Sequence, residues 1–268
     1  MPNLLLSFIA FVTYVLLAGY FWRASAGSNA RCHGTVGHLS LIPITIHGYL
    51  LWQGIFSNGG IDLNIFNALS LIAWLTLLVY SVARFFYPIG GLQAMMLPLA
   101  AVSLLLPGVF PADHPLSHTN LLAFKVHIAV AMLAYSLFTI AALHAVLISL
   151  VENRLRQATL PRVLRDLPPL MTMESLLFRM IGIGFILLTL TLISGMLFSE
   201  EIFGKAFDFN HKVVFGFVSW CVFAVLLYGR RVYGWRGKIA VRWTLSGFIF
   251  LVLGYLGSEF VLEVLLHR

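Results

Sequence analysis

Long apolar runs separated by short polar breaks dominate this chain. They fall near residues 4–22, 39–56, 65–84, 94–110, 121–151, 174–198, 211–230 and 241–266. Each approaches the roughly 20 apolar residues that a helix needs to cross a hydrocarbon core. A backbone in lipid has no water to bond, so each run is expected to be an α-helix that satisfies its own peptide groups. The expected fold is all-α: a polytopic integral membrane bundle of about eight transmembrane helices, forming one membrane domain over residues 1–268. The fifth run is longer than a bilayer requires and should emerge near Glu152. Pro43, Pro98 and Pro107 lie in or near spans, where they can kink helices without breaking them. The first run ends at the small residues Ala24, Ser25 and Ala26, as a secretory signal does. It lacks a basic n-region and is long enough to span, so it is read as a permanent helix.

Composition agrees with that pattern. Of 268 residues 60% are hydrophobic and 10% charged, against about 25% charged in ordinary soluble domains. So few charges cannot cover a water-soluble globule, and lipid is the natural solvent for the remainder. The net charge of +7 raises the question of nucleic acid. Its placement answers it. One set of loops carries Arg23 and Arg31, then Arg84, then Arg154, Arg156, Arg162 and Arg165, then Arg230, Arg231, Arg236, Lys238 and Arg242. The alternate set carries Asp62, Asp113, Glu200, Glu201 and Asp208, with Lys205 and a few flanking basic residues. The positive-inside rule makes the first set cytoplasmic and puts both termini outside. This alternation absorbs most of the basic charge, so the expected partner is a lipid bilayer, with no nucleic-acid role. Trp22, Trp52, Trp235 and Trp243 fall near helix ends, as interfacial anchors do. Cys32 and Cys221 form no CxxC pair, which leaves no redox or metal motif.

Ionisable groups inside spans are expensive and by default mark function. Four histidines qualify: His47, His127, His144 and His211. With the orientation above, His47 and His144 lie level in the inner half, and His127 and His211 lie level in the outer half. Imidazole is a strong ligand for transition metals. A zinc ion normally takes four N, S or O ligands, whereas each level offers two histidines. Paired imidazoles across an apolar slot suit a planar haem, giving one or two b-type sites with bis-histidine ligation. The alternative is that each histidine simply bonds across helices. His127 and His144 lie about 26 Å apart along one helix and differ by about 100° in azimuth, which disfavours a diheme electron wire. His33, His38, His114 and His118 are read as solvated loop residues, while His267 sits where it could reach a haem edge.

The C-terminal part carries a more specific pattern. It runs from Gly204 to Lys212 (GKAFDFNHK), through Ser219 and Trp220, to Gly229–Lys238 (GRRVYGWRGK), and closes with Gly247, Tyr255, Gly257 and Glu259. Lys125 and His127, followed by Leu133, Ala134 and Tyr135, open the fifth run. This resembles the cytochrome c assembly family, which includes CcsA-type proteins, CcmC, CcmF and smaller HemX- and YpjD-like members. The resemblance is good over 121–268 and rests on hydropathy alone before that. The family's tryptophan-rich segment (WGxxWxWDPKE) is degraded here, with Phe207 and Phe209 where tryptophans are expected, and Tyr228 stands near the place of an inner histidine. The chain is therefore closer to the small YpjD-like inner-membrane branch. The resemblance implies a haem-handling protein that supports cytochrome c maturation, with haem and maturation proteins as partners and no covalent chemistry of its own. His127 and His211 would hold the iron, with Phe207, Phe209 and Trp220 as a wall. The basic tract at Arg230, Arg231, Arg236 and Lys238 is read as an inside anchor before a propionate site, and Glu259 as a partner for a histidine or a supporting group. Two other readings stay open: a regulatory or scaffold protein acting through loop 152–173, with Arg154, Arg156, Arg162 and Arg165, and a b-haem electron-transfer protein. A transporter would show paired interrupted helices in repeated halves, which the sequence does not display.

Overall fold

Every apolar run becomes a helix. The structure, a computed structural model, describes residues 2–24, 38–56, 61–86, 91–110, 121–157, 168–203 and 211–260. In chain order the helices are α1 (Pro2–Ala24), α2 (Leu41–Phe56), α3 (Ile65–Phe86), α4 (Gln93–Val109), α5 (Leu122–Arg156), α6 (Leu170–Phe203), α7 (His211–Val232) and α8 (Gly237–Val252). A π-helical segment, Leu253–Gly257, continues α8. Six of these are long and apolar enough to cross a membrane, while α2 and α4 are apolar but shorter. The described residues contain no β-strand. Large apolar side chains such as Leu4 and Phe86 stand exposed, at 79% and 76%. Such exposure is costly in water and ordinary in lipid.

Packing divides the chain into two compact units, Met1–Pro115 with Leu150–Leu170 and Leu116–Ser149 with Met171–Arg268. The first unit gathers α1 to α4. Asn64 caps α3, its Oδ1 accepting from the Asn67 backbone N–H at 2.8 Å. The Trp74 indole donates to the Ile44 carbonyl at 2.8 Å. Its ring lies so close to Gly48 that a Cβ there would stand 2.9 Å away, so glycine is what lets α2 and α3 approach. Tyr14 of α1 is wholly buried and faces His47 of α2.

The second unit gathers α6, α7, α8 and the first part of α5. At its centre the wholly buried rings of Phe138 and Phe223 stack with centroids 4.1 Å apart. A Cβ at Gly184 would lie 3.1 Å from the Phe138 ring, and one at Gly247 would lie 2.8 Å from the Phe223 ring. Two glycines, from α6 and α8, thus seat two phenylalanines, from α5 and α7. Between α7 and α8 the chain turns through two left-handed glycines, Gly234 (φ 66°) and Gly237 (φ 53°). Trp235 folds back on Gly229, where a Cβ would stand 2.4 Å from its ring. Arg230 donates to the Trp235 carbonyl at 3.1 Å and lies 4.6 Å above the Phe178 ring. Glu174 accepts the Gly237 N–H at 2.9 Å, capping α8 with a carboxylate at its positive end. The GWRG turn is therefore a built element, and Arg230 is one of its struts.

Candidate functional site

His127 is half-buried near the start of α5. Its Nδ1 lies 2.7 Å from Ser194 Oγ of α6. That hydroxyl also lies 2.7 Å from the Leu190 carbonyl and 3.1 Å from the Thr191 carbonyl, in back-bonds that Ser commonly makes inside helices. A hydroxyl can donate to Nδ1 or accept from it, so this contact fits either tautomer of the ring. Gly195 lies beside the ring, where a Cβ would sit 3.4 Å from Cε1.

His211 is the first residue of α7 and is exposed. Five residues further on, Gly216 packs against α6, where a Cβ would stand 3.3 Å from Leu192 Cδ2. His127 and His211 thus belong to helices that flank the same end of α6, within one unit. Further along α7 stands Trp220, whose indole N–H donates to Thr189 Oγ1 of α6 at 2.9 Å. Its ring stacks on Phe185 (5.3 Å between centroids) and on Phe217 (5.8 Å). Phe207, Phe209 and His267 lie outside the described residues, as do Arg162 and Arg165.

Beside His211, Lys212 forms an ion pair with Glu259 and places its ammonium 5.6 Å from the Tyr255 ring centre. The sequence reading expected Glu259 to meet a histidine or a supporting group; its partner is this lysine. Tyr255 lies in the π-helical segment and meets the Tyr135 ring edge-on at 6.1 Å, and Tyr135 donates to the Leu251 carbonyl at 2.9 Å. A π-segment shifts the helical register and releases a backbone group; here a phenol from α5 stands at the carbonyl beside it.

The other two histidines lie in different units and differ in kind. His47, wholly buried in the first unit, has Nε2 2.8 Å from Ser70 Oγ and Nδ1 3.4 Å from the Tyr14 hydroxyl. Both nitrogens face side chains of neighbouring helices. His144, 2% exposed in the second unit, donates from Nε2 to the Met173 carbonyl at 2.9 Å. Its Nδ1 is buried without a hydrogen-bond partner among the described residues. For a haem, the fit differs accordingly. His127 is half-buried and meets a hydroxyl through Nδ1. His144 has its lone pair on Nδ1, where the adjacent Cβ crowds a macrocycle. His47 would have to release Ser70 or Tyr14. The described residues hold no group of three or more His, Cys, Asp or Glu placed to grip a bare ion.

The sequence reading did not single out Ser194, Thr189, Ser70 or Tyr14. Their only signal was hydroxyls interrupting apolar runs, as at Thr189, Thr191 and Ser194.

Residues 35–266 match the family model described as cytochrome C assembly protein. The chain belongs to that family. The match starts far ahead of residue 121, so it includes helices that hydropathy alone had linked to the family. Inner membrane protein YpjD of Escherichia coli K12 is 28% identical over 228 residues, covering 84% of this chain and 86% of its own. Cytochrome c biogenesis protein CcsA of Prochlorococcus marinus is 24% identical over 293 residues, covering 97% and 91%. The protein of that name from Heterosigma akashiwo is 26% identical over 252 residues, covering 80% and 78%. This member of the family is a multi-pass inner-membrane protein.

Proposed function

We propose that this protein handles haem during cytochrome c maturation, holding it by histidine ligation without covalent chemistry of its own. The observation that carries the reading is His127 in a cytochrome c assembly protein, half-buried near the start of α5 with its Nδ1 2.7 Å from Ser194 Oγ of α6. When bound, haem would supply an iron that imidazole nitrogens can ligate. His127 would hold it from α5, and His211 from α7. Trp220, held by Thr189 and flanked by Phe185 and Phe217, offers an aromatic wall. His144 is the second candidate ligand, since its Nδ1 is uncommitted, and His47 the third. Haem b is the form proposed, because no haem-attachment CxxCH motif occurs in the chain.

The test is an absorption spectrum of the purified full-length protein from haem-replete cells. A Soret band that sharpens on reduction, with resolved visible bands, is expected in the wild type and absent from His127→Ala and His211→Ala. Colourless wild-type protein contradicts the reading.

A further inference from the structure

The turn that joins α7 to α8 is fixed in place and carries charge that no described residue neutralises. The Gly229 carbonyl accepts the backbone N–H groups of Tyr233 at 2.9 Å and of Trp235 at 3.2 Å. Exposed cations surround this turn: Arg231 before it, Arg236 within it, and Lys238 and Arg242 on the first turns of α8. Among the described residues none of the four forms an ion pair or a side-chain hydrogen bond. Glu174, the carboxylate that meets the turn, is buried and committed to the Gly237 N–H. Four rings run beside the cations. Tyr228 meets Tyr233 edge-on at 6.2 Å, Tyr233 stacks on Trp235 at 6.3 Å, and Trp235 lies 5.4 Å from Trp243. The two phenols are exposed, and no hydroxyl or indole N–H of this ladder donates to a described residue. Tyrosine and tryptophan with apolar bodies and free polar tips belong at the headgroup level of a bilayer.

The same helix supplies an apolar track that leads away from the charge. Lys238, Arg242, Leu245, Ile249 and Leu253 follow one another at steps of four, three, four and four residues, which keeps them within about 80° of one another around the helix. Ile249 and Leu253 are 56% and 43% exposed. From Arg242 to Leu253 the track is about 16 Å long, roughly half of a hydrocarbon core about 30 Å thick. We infer that the turn and this track form a binding site for an anionic phospholipid. Its phosphate accepts hydrogen bonds from Arg236, Lys238 and Arg242, with Arg231 adding to the field, as charge-assisted bonds to phosphate do. The ring ladder lies against the glycerol and ester level, and an acyl chain follows Leu245, Ile249 and Leu253. Basic pockets beside membrane helices recognise lipid headgroups in this way. The site is separate from the histidines and does not depend on haem.

The test is native mass spectrometry of the full-length protein in detergent, titrated in turn with cardiolipin, phosphatidylglycerol and phosphatidylcholine. Wild type should retain a first molecule of an anionic lipid at concentrations where phosphatidylcholine is not retained. The double variant Lys238→Gln/Arg242→Gln should bind that lipid about 30-fold more weakly, at about fivefold for each cation lost. Both side chains are exposed, so its thermal unfolding without added lipid should match wild type. Arg231→Gln/Arg236→Gln is the second variant and should weaken binding in the same direction. Arg154→Gln/Arg156→Gln removes two charges elsewhere and should leave binding near wild type. Glycerol phosphate, which has no chains, should not displace the lipid. Equal retention of phosphatidylcholine overturns the inference. So does an equal loss in all three double variants, which would mean that only net charge attracts the lipid. Displacement by glycerol phosphate at the lipid's own concentration also overturns it, since the track would then contribute nothing.

Discussion

The two units of this protein treat buried imidazole differently. In the first unit His47 is closed on both sides: Ser70 faces one nitrogen and Tyr14 the other, so three helices meet at one ring with no exposed surface. In the second unit two histidines meet α6, His127 through the Ser194 hydroxyl and His144 through the Met173 carbonyl. A ring gripped on both nitrogens ties helices together, as interhelical hydrogen bonds do in membranes. A ring that donates to a carbonyl, as His144 does, has its tautomer chosen for it, which is how proteins prepare an imidazole for a metal. The same residue type thus serves cohesion in one unit and, in the proposed function, ligation in the other.

The difference can be broken by substitution. The largest effect is expected from His127→Ala, which should abolish the haem spectrum while leaving thermal unfolding in detergent near wild type, because the ring is only half-buried. His47→Ala should do the reverse. It removes a wholly buried side chain and orphans two hydroxyls, so stability should fall by roughly 2–5 kcal/mol while any haem band persists; a lost band with unchanged stability would erase the contrast between the units. Gly247→Ala sharpens the picture of the second unit's centre. Its Cβ would stand 2.8 Å from a Phe223 ring that has nowhere to go, so a loss of about 1–3 kcal/mol is expected in the same unfolding measurement. Trp220→Phe removes one interhelical hydrogen bond and should cost about 0.6–1.7 kcal/mol, with a shift of the Soret band that marks the ring as part of the wall. Glu259→Gln should change stability least, below about 1 kcal/mol, since an ion pair with a partly exposed lysine is screened.

How far the sequence reaches can be judged at particular residues. The apolar runs placed α3 and α7 at their observed first residues, Ile65 and His211, because both helices begin where lipid-compatible sequence begins. At α5 the helix continues to Arg156, beyond the apolar run, supported by an Arg156–Glu152 pair at 2.8 Å. At α8 it starts at Gly237 rather than 241, because Glu174 caps that N–H from another helix. Hydropathy marks where lipid begins, not where the i→i−4 ladder does. The histidines were legible because an ionisable group in a span is anomalous. Ser194 and Thr189 were not, since a hydroxyl in an apolar helix is unremarkable until a ring nitrogen from another helix is seen to reach it. The π-segment after α8 left no mark in the hydropathy pattern at all.

The central claim is that His127 binds haem iron. Low-temperature electron paramagnetic resonance of the ferric, haem-loaded full-length protein addresses it directly. The expected result is a low-spin signal of the bis-imidazole type that disappears in His127→Ala. The same low-spin signal in wild type and His127→Ala, or no low-spin signal in a protein saturated with haem, would contradict it.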